Sequence, residues 1–379
     1  MGRTGSGRLD APVLLAAGGT GGHLFPAEAL ARALAARGVP TELMTDSRGL
    51  AYGATFPARA CHSVPSATPT GASTTSKLQS AATLGRGTMK AVAALSRIDP
   101  AVVVGFGGYP TVPPVLAAAL RRIPIVLHEQ NAVMGRANRF VAKHAAAIAT
   151  GFPSLGKASD AIRSKISFTG NPVRPTVFAA AADPYPGLEP GGTLRLLVTG
   201  GSQGARVMSE VVPAAIEQLD EGTRARLVIV QQARGEDEAR VRDAYARLGV
   251  AATVASFFTD LPARMAAAHL VIARSGASTV SELATIGRPA ILVPFPHALD
   301  QDQAANAAML AQSGAALVCD QASFTPDWLA IELTRVMSTS RELQQRAESA
   351  QLAARPDAAE RLADLVLGVA ARTSRGSAR

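Results

Sequence analysis

The chain has 379 residues, a formal net charge of +9 and a hydrophobic fraction of 47%. This length exceeds what one hydrophobic core usually supports, so two domains are expected, and the apolar content excludes a disordered chain. The only two cysteines, Cys61 and Cys319, lie far apart in the sequence, which argues against a disulfide scaffold and for a reducing compartment. Residues 1–10 are basic and glycine-rich without an apolar signal region, and we expect a disordered tail there.

The positive charge is concentrated in the first half of the chain. Residues 1–175 contain 19 Lys and Arg against 7 Asp and Glu, whereas the remainder contains 19 against 22. A basic half favours a polyanionic partner, either nucleic acid or an anionic lipid surface. Aromatic residues make up only 4% of the chain and no nucleic-acid-binding motif is present. We therefore expect a membrane surface and no nucleic acid.

The first glycine-rich turn, Gly18–His23, follows a predicted buried strand, Val13–Ala17, and precedes a predicted helix, Phe25–Arg37. Its glycines would let a phosphate or sugar approach the N–H groups of a helix N-terminus, with His23 beside them as a titratable group. The dinucleotide fingerprint does not fit, because Leu24 occupies its last glycine position. A Walker A loop does not fit either, since the Lys-Ser/Thr pair is missing.

Two segments of the first half bear on membrane contact. Lys77–Arg97 mixes apolar and basic residues, which fits either an interfacial amphipathic element or an ordinary surface helix. Gly85 and Gly87 argue against one long helix there. Residues 101–120 are uncharged and long enough to span a bilayer, but their glycines and prolines favour a strand, a loop and a helix start. We expect no spanning helix.

Apolar strands alternate with alanine-rich helical stretches in both halves, which predicts parallel α/β sheets. Further strands are predicted at Thr41–Thr45, Val102–Gly105, Ile125–His128, Ala147–Ala149, Leu194–Thr199, Leu227–Gln231, Leu270–Ala273 and Ala290–Val293. Two prolines and a glycine in Gly170–Pro175 indicate a linker between two doubly wound domains. We expect these domains to face each other across a cleft lined by loops from the carboxyl ends of the strands.

Two motifs of the second half are typical of a nucleotide site. Gly200–Gly204 is a second glycine-rich turn after a predicted strand, and it too lacks the dinucleotide spacing. Arg274–Glu282 follows another predicted strand and brings small hydroxylated residues to a helix start. These groups suit phosphate, and Glu282 suits the hydroxyls of a ribose. Taken singly, Ser278 and Glu282 also fit a helix cap and a first-turn acid.

Taken together, the motifs of this sequence resemble those of the MurG family, in the same order and over residues 13–370. The motifs are Gly18–Ala27, Gly105–Pro110, His128–Asn131, Gly170–Arg174, Gly200–Gly204 and Arg274–Glu282. The resemblance implies a GT-B fold of two facing Rossmann-like domains. It implies an acceptor domain at residues 11–170, a linker at 171–175, a donor domain at 176–355 and a terminal helix of about 356–372 that returns to the first domain.

The activity implied by the resemblance is that of an inverting hexosyltransferase. UDP-N-acetylglucosamine (UDP-GlcNAc) donates GlcNAc to the 4-hydroxyl of MurNAc in lipid I, and lipid II forms for peptidoglycan synthesis. The implied place is the cytoplasmic face of the inner membrane, as a peripheral protein, with lipid I, anionic lipid and cell-wall synthesis enzymes as partners. Roles in cell shape, cell division and the cell cycle follow from this activity.

The resemblance also implies which residues bind UDP-GlcNAc. In the second domain, Ser202 and Arg174 would approach the diphosphate and sugar, Phe258 the uracil, and Gln303 the GlcNAc hydroxyls. From the first domain, the donor sugar would be reached by Thr20, Gly21, Gly22 and Asn131. The phosphates and ribose would be lined by Ala277, Ser278, Thr279, Val280, Ser281 and Glu282.

Two residues are the main candidates for the catalytic base. His23 has an imidazole whose ordinary pKa is near neutrality, but it also fits a histidine that only positions phosphate or fixes the loop. Glu129 is the second candidate base, and it also fits a structural hydrogen-bond acceptor for loop backbone. His128 is a weaker candidate. Asp300-Gln301-Asp302 has the D-x-D pattern of metal-dependent transferases, but we expect helix-start acids there, with no protein-bound metal and no cofactor.

Three other functions remain open from the residues alone. The chain could transfer a UDP-sugar to a different acceptor, or it could be a UDP-GlcNAc epimerase of the same two-domain plan. It could also be a membrane adaptor that binds UDP-GlcNAc without turnover. The His128–Asn131 and Gly105–Pro110 motifs favour the lipid I transferase among them.

Overall fold

The structure is a computed structural model that describes residues 11–18, 21–50, 56–67, 74–201, 204–298 and 300–376. The chain divides into two compact units, Met1–Arg174 with Pro356–Arg379 and Pro175–Arg355. Each unit contains one parallel sheet.

The first unit has a seven-stranded sheet in the order β3-β2-β1-β4-β5-β6-β7. Its strands are β1 (Val13–Ala16), β2 (Thr41–Thr45), β3 (Cys61–Ser63), β4 (Val102–Gly105), β5 (Ile125–Glu129), β6 (Ala147–Thr150) and β7 (Ile166–Phe168). Its helices are α1 (Gly21–Ala36), α2 (Thr74–Ile98), α3 (Val112–Leu120), α4 (Arg136–Val141), α5 (Asp160–Arg163) and, from the end of the chain, α15 (Ala358–Gly376). Short 3-10 turns cover Tyr109–Thr111 and Ala142–His144.

Alternate residues of β1 point into two different cores. Val13 and Leu15 pack in one cluster with residues of α1 and with Leu362 and Val366 of α15. Leu14 packs in the other cluster, with residues of α2 and α3. Because successive side chains of a strand point to opposite faces, helices must cover both faces of this sheet. The doubly wound arrangement expected from the sequence is confirmed for this unit.

Helix α2 is one continuous helix of 25 residues, contrary to the break expected at its two glycines. A Cβ atom at Gly87 would lie 2.1 Å from the carbonyl oxygen of Pro65. Glycine therefore lets α2 pack closely against the segment after β3, and this packing offsets the lower helix propensity of glycine. Among the residues that the structure describes, α2 and every other helix are too short or too polar to cross a bilayer.

The second unit has a six-stranded sheet in the order β10-β9-β8-β11-β12-β13. Its strands are β8 (Leu194–Thr199), β9 (Leu227–Gln232), β10 (Ala251–Ala255), β11 (Leu270–Ala273), β12 (Ala290–Leu292) and β13 (Ala316–Val318). Its helices are α6 (Pro175–Ala181), α7 (Arg206–Glu217), α8 (Glu221–Arg224), α9 (Gly235–Arg247), α10 (Leu261–Ala267), α11 (Ala277–Ile286), α12 (Asp302–Gln312), α13 (Pro326–Ser338) and α14 (Ser340–Ala353).

The strands predicted from the sequence are all present, and their ends differ by one residue at most. The strands that were not predicted are β3, β7, β10 and β13, which are the edge strands of the two sheets. The first helix was predicted too short at its start. It begins at Gly21, inside the glycine-rich turn, so that His23 lies in its first turn.

A buried arginine, Arg288, forms hydrogen bonds with three separate segments of the second unit. Arg288 is completely buried, and its guanidinium donates hydrogen bonds to the carbonyl oxygens of Ala266, Ile286, Gly287, Asp183 and Pro184. The distances range from 2.6 to 3.2 Å. The side chain therefore holds the segment after α6 against the ends of α10 and α11.

Replacing Arg288 with Met should destabilise the second unit by about 3 kcal/mol or more, because buried carbonyl groups would lose their hydrogen-bond donors. Urea unfolding followed by the fluorescence of Trp328, the one tryptophan of the chain, reports on this unit directly. The matched control is Arg247→Met on the exposed face of α9, which should change the free energy of unfolding by less than about 0.5 kcal/mol. Equal stability of the two variants would contradict the role assigned to Arg288.

Candidate active site

In each unit the strand order reverses beside the first strand. β1 lies between β2 and β4, and β8 lies between β9 and β11. The loops after β1 and β4, and likewise those after β8 and β11, diverge to opposite faces of their sheet and leave room at the carboxyl ends of the strands. Most of the motifs singled out in the sequence follow these strands.

His23 lies beside the loop that follows β4. Gly107 and Gly108 have φ angles of +83° and +71°, which favour glycine. A Cβ atom at Gly108 would lie 3.2 Å from Nε2 of His23, so the bare glycine backbone leaves room for the ring. The imidazole is partly buried, and Nδ1 lies 3.2 Å from Oε1 of Gln130.

Burial lowers the pKa of His23 below its ordinary value and outweighs the hydrogen bonds with Gln130 and the Phe106 backbone, which raise it. A histidine with a lowered pKa is neutral at physiological pH. It can then accept a proton, as a general base must.

Glu129, at the end of β5, is buried and surrounded by N–H donors. Oε1 accepts hydrogen bonds from the backbone N–H and side chain of Asn131, at 3.1 and 3.4 Å. Oε2 accepts from the backbone N–H of Gly135 and the side chain of Asn138, at 3.0 and 2.9 Å. Burial raises the pKa of Glu129, and these hydrogen bonds oppose that rise. With both oxygens engaged, the carboxylate is placed to order the loop from Asn131 to α4.

His128 is completely buried and forms two hydrogen bonds. Nε2 lies 3.2 Å from the carbonyl oxygen of Gly170, and Nδ1 lies 3.0 Å from Nε2 of Gln130. Burial is the main cause that lowers the pKa of His128 to about 4. With no opening to solvent, this imidazole is poorly placed to meet a substrate.

The remaining predicted residues of the first unit lie on or near α1, beside Glu129, or at the end of the unit. Gly21 and Gly22 are the first two residues of α1, and Asn131 lies next to Glu129. Arg174, expected with the second domain, is instead the last residue of the first unit before the chain crosses over. Its guanidinium lies 4.2 Å from the ring centroid of Phe25 on α1, where a cation–π contact holds it. Thr20 lies outside the described residues.

In the second unit, helix α11 begins directly after β11, with Gly276 as its N-cap. The first N–H groups of an α-helix have no partner within the helix and attract anions. Arg274 precedes this N-terminus and is nearly buried. Its guanidinium donates to the carbonyl oxygens of Val293 and Pro294 and to the side chain of Gln321. Burial and the charge of Arg234 lower the pKa of Arg274 to about 10, so it stays charged at neutral pH.

Hydrogen bonds hold Gln303 beside the motif Arg274–Glu282. The hydroxyl of Ser275 donates to the carbonyl oxygen of Gln303, at 2.8 Å, and Asn306 donates to the carbonyl oxygen of Ser275, at 3.1 Å. The side chain of Gln303 accepts a hydrogen bond from the backbone N–H of Phe295, at 3.0 Å. These bonds fix the start of α12 beside the start of α11.

The other predicted residues of the second unit lie on its loops and on α11. Ala277, Ser278, Thr279, Val280 and Ser281 form the first turns of the helix, and Glu282 is buried in its second turn. Phe258 is buried in the loop between β10 and α10, with the guanidinium of Arg264 at 4.4 Å from its ring centroid. Ser202 lies outside the described residues.

The acids of the D-x-D sequence lie at the start of α12. Gln301 has a left-handed conformation with φ of +54°, and Asp302 is the first residue of the helix. Across the described ranges, three or more His, Cys, Asp or Glu side chains are nowhere grouped so as to hold a metal ion.

Two residues with a clear place in the site received no role from the sequence. Gln130 belongs to a recognised motif, and the alternation of side chains along β5 places it on the same side as His128, but only the fold brings it to His23. Asn138, on α4, donates to Glu129 and to the carbonyl oxygen of His128, and is nearly completely buried. It belongs to no motif, and only the fold brings it to β5.

Comparison with known proteins identifies the chain. Residues 13–150 match the glycosyltransferase family 28 N-terminal domain, and residues 195–362 match the corresponding C-terminal domain. The chain is 59% identical over 363 residues to a protein of Methylorubrum populi, a UDP-N-acetylglucosamine–N-acetylmuramyl-(pentapeptide) pyrophosphoryl-undecaprenol N-acetylglucosamine transferase. The match covers 96% of this chain and 98% of that protein. The chain belongs to the MurG family.

The solved structures agree with this family. The crystal structure of MurG from Acinetobacter baumannii superposes with a TM-score of 0.75 at 30% identity, over 94% of this chain and 99% of that one. The structure of the kitacinnamycin glycosyltransferase, at 18% identity, has a TM-score of 0.69 over 95% of this chain and 99% of that one, and shows the fold alone. The GT-B class expected from the sequence is confirmed. The chain is thus a glycosyltransferase of family 28.

Glu129→Gln tests whether this residue orders the loop or performs chemistry. A glutamine would direct N–H groups at the donors that now meet a carboxylate, at a cost of about 1–3 kcal/mol. We expect faster hydrogen–deuterium exchange in residues 131–139 together with lower turnover, whereas Glu360→Gln on the exposed face of α15 should change neither. Lost turnover with unchanged exchange would show instead that Glu129 acts on the substrate.

Proposed function

We propose that this protein transfers GlcNAc from UDP-GlcNAc to the 4-hydroxyl of MurNAc in lipid I, and so forms lipid II for peptidoglycan synthesis. The observation that carries the proposal is the nearly full-length identity of 59% to a transferase of that name. It is supported by the family 28 matches in both halves of the chain. Roles in cell shape, cell division and the cell cycle would follow, with other cell-wall synthesis enzymes as partners.

The donor is assigned to the second unit. The N-terminus of α11 and the charge of Arg274 suit a diphosphate, since N–H groups and a fixed cation stabilise the charge that develops on the leaving group. Glu282 would accept hydrogen bonds from the ribose hydroxyls, Phe258 would lie at the uracil, and Gln303 would meet the GlcNAc hydroxyls. Ser202 and Arg174 would approach the diphosphate and sugar. We propose that no protein-bound metal or cofactor is needed, because these groups can supply the positive charge.

His23 is assigned as the general base. The 4-hydroxyl oxygen of MurNAc would attack C1 of GlcNAc while the imidazole accepts the hydroxyl proton. The bond between C1 and the diphosphate oxygen would break, and its electron pair would leave with UDP, which inverts the configuration at C1. Thr20, Gly21, Gly22 and Asn131 would contact the donor sugar. Glu129 would order the loop that contains Asn131.

A UDP-release assay with a soluble, short-lipid analogue of lipid I tests this function. We expect UDP release only when the acceptor is present, and a loss of about 10²–10⁴-fold in kcat for His23→Ala, as is usual for a lost general base. His144→Ala, at an exposed histidine of a 3-10 turn, is the matched control and should keep full activity with this soluble acceptor.

The other functions predict different results in the same assay. A UDP-GlcNAc epimerase would consume the donor with no acceptor present. An adaptor would bind the donor but release no UDP even when the acceptor is present. A transferase for another acceptor would release no UDP with the lipid I analogue. Any of these results would contradict the proposal.

We further propose that the first unit binds the cytoplasmic face of the inner membrane peripherally, through helix α2. Leu78 and Met89 are largely exposed, and their spacing of about three helical turns places them on one face. The exposed Lys77 and Lys90 flank this face on its two sides. Apolar side chains that enter the lipid, together with about 1 kcal/mol per basic residue, would give reversible binding to anionic lipid.

Lys77→Glu combined with Lys90→Glu should weaken binding to anionic liposomes by about tenfold or more, and should spare turnover of the soluble acceptor. The control pair, Arg247→Glu with Arg341→Glu, changes the net charge equally at exposed positions of the second unit. Co-sedimentation with vesicles of phosphatidylglycerol measures the effect. If both pairs bind the vesicles equally well, helix α2 is not the binding surface.

A further inference from the structure

A chain of hydrogen bonds runs from His23 to the backbone through two buried side chains of the first unit. Nδ1 of His23 lies 3.2 Å from Oε1 of Gln130, and Nε2 of Gln130 lies 3.0 Å from Nδ1 of His128. Nε2 of His128 lies 3.2 Å from the carbonyl oxygen of Gly170. His128 is completely buried and Gln130 is 3% exposed, so the chain is shielded from water.

The direction of each bond follows from the carbonyl group at the end. The Gly170 oxygen can only accept, so Nε2 of His128 carries the proton. Because burial keeps this imidazole neutral at physiological pH, Nδ1 of His128 has a free lone pair. The side-chain amide of Gln130 must therefore direct its N–H₂ group towards His128.

A second contact fixes the same orientation of the Gln130 amide. Its Nε2 also lies 3.3 Å from the backbone carbonyl oxygen of His128, which again can only accept. Reversing the amide would place its oxygen against two acceptors at once. Oε1 of Gln130 therefore faces His23, and Nδ1 of His23 must carry a proton to complete the bond.

We propose that Gln130 and His128 are positioning residues that hold His23 in the Nδ1–H tautomer, so that Nε2 keeps the lone pair that receives the proton of the acceptor hydroxyl. The proposal rests on the assignment of His23 as the base. Nε2 is also the atom beside Gly108, where any side chain would come within 3.2 Å of it. The glycine thus keeps the approach to the basic nitrogen open.

The groups around His23 limit how its charge can change with pH. The charge of His23 lowers the pKa of His128, so each imidazole disfavours a charge on the other. Glu129 is directed to Asn131, Gly135 and Asn138 instead. The loop Phe106–Gly108 brings no charged side chain. The backbone of Phe106 also forms a hydrogen bond with the imidazole of His23. Gln130 is the side chain that bonds Nδ1, and neither group contributes a charge.

The tautomer can be measured directly by long-range ¹H–¹⁵N correlation spectroscopy on protein labelled with ¹⁵N-histidine. The chain has six histidines, and His23→Gln assigns the signals of His23. At neutral pH we expect the Nδ1–H form for His23 and the Nε2–H form for His128. The Nε2–H form at His23 in the unaltered protein would overturn the proposal.

Two variants of Gln130 separate tautomer control from simple packing. Gln130→Met has a similar volume but no hydrogen bonds, so the Nδ1–H preference should be lost and kcat should fall by about tenfold or more, with KM for UDP-GlcNAc unchanged. Gln130→Glu keeps an acceptor for Nδ1–H of His23, while its second oxygen meets Nδ1 of His128, which must take up a proton to bond it. This variant should retain the tautomer of His23, and it should move the acidic limb of the kcat/KM profile because new charges then lie beside the base.

Thermal unfolding, together with the hydrogen–deuterium exchange of β5, verifies that both variants are folded. Equal losses in the two variants, with an unmoved acidic limb in Gln130→Glu, would show that Gln130 only fills space. The proposed function can fail separately. If His23→Ala keeps its activity while His23 of the unaltered protein is in the Nδ1–H form, the chain of hydrogen bonds exists but His23 is not the base.

Discussion

The parallel pairing of β1 with β4 determines where the first unit can act on a substrate. At this pair the strand order reverses, so the following chain segments leave for opposite faces of the sheet and the carboxyl ends stay accessible. The first turn of α1 and the loop Phe106–Gly108 are consequently neighbours, although they are far apart in the sequence. The pairing of β8 with β11 does the same in the second unit, where it exposes the N-terminus of α11.

The interior of both sheets was predictable from the sequence, and the edges were not. Interior strands are covered on both faces, so they appear in the sequence as continuous apolar runs, as β4 and β11 do. Edge strands such as β3 and β13 have three residues each, all partly exposed, and lack such runs. They are strands because a neighbour offers hydrogen bonds, and a single sequence does not contain that information.

The residues of the candidate site likewise include some that the sequence predicts and some that only the fold brings there. Glycine-rich turns and the residues beside them could be found because the backbone conformation requires glycine there, as at Gly107 and Gly108. The partners of His128, Glu129 and Gln130 depend on which side of β5 each residue points to. Because successive side chains of an extended chain point to opposite sides, the sequence places Glu129 on the side opposite to His128 and Gln130. Only the fold supplies their partners, Asn138 and the Gly170 carbonyl group.

Helix α15 has a consequence for how the protein folds during synthesis. Leu362 and Val366 complete the core that contains Val13, Leu15 and Leu30, yet they are translated after the whole of the second unit. The part of this core that α15 covers must therefore stay exposed while about 180 intervening residues are synthesised. The second unit, which is one uninterrupted segment, has no such delay and can acquire its native core first.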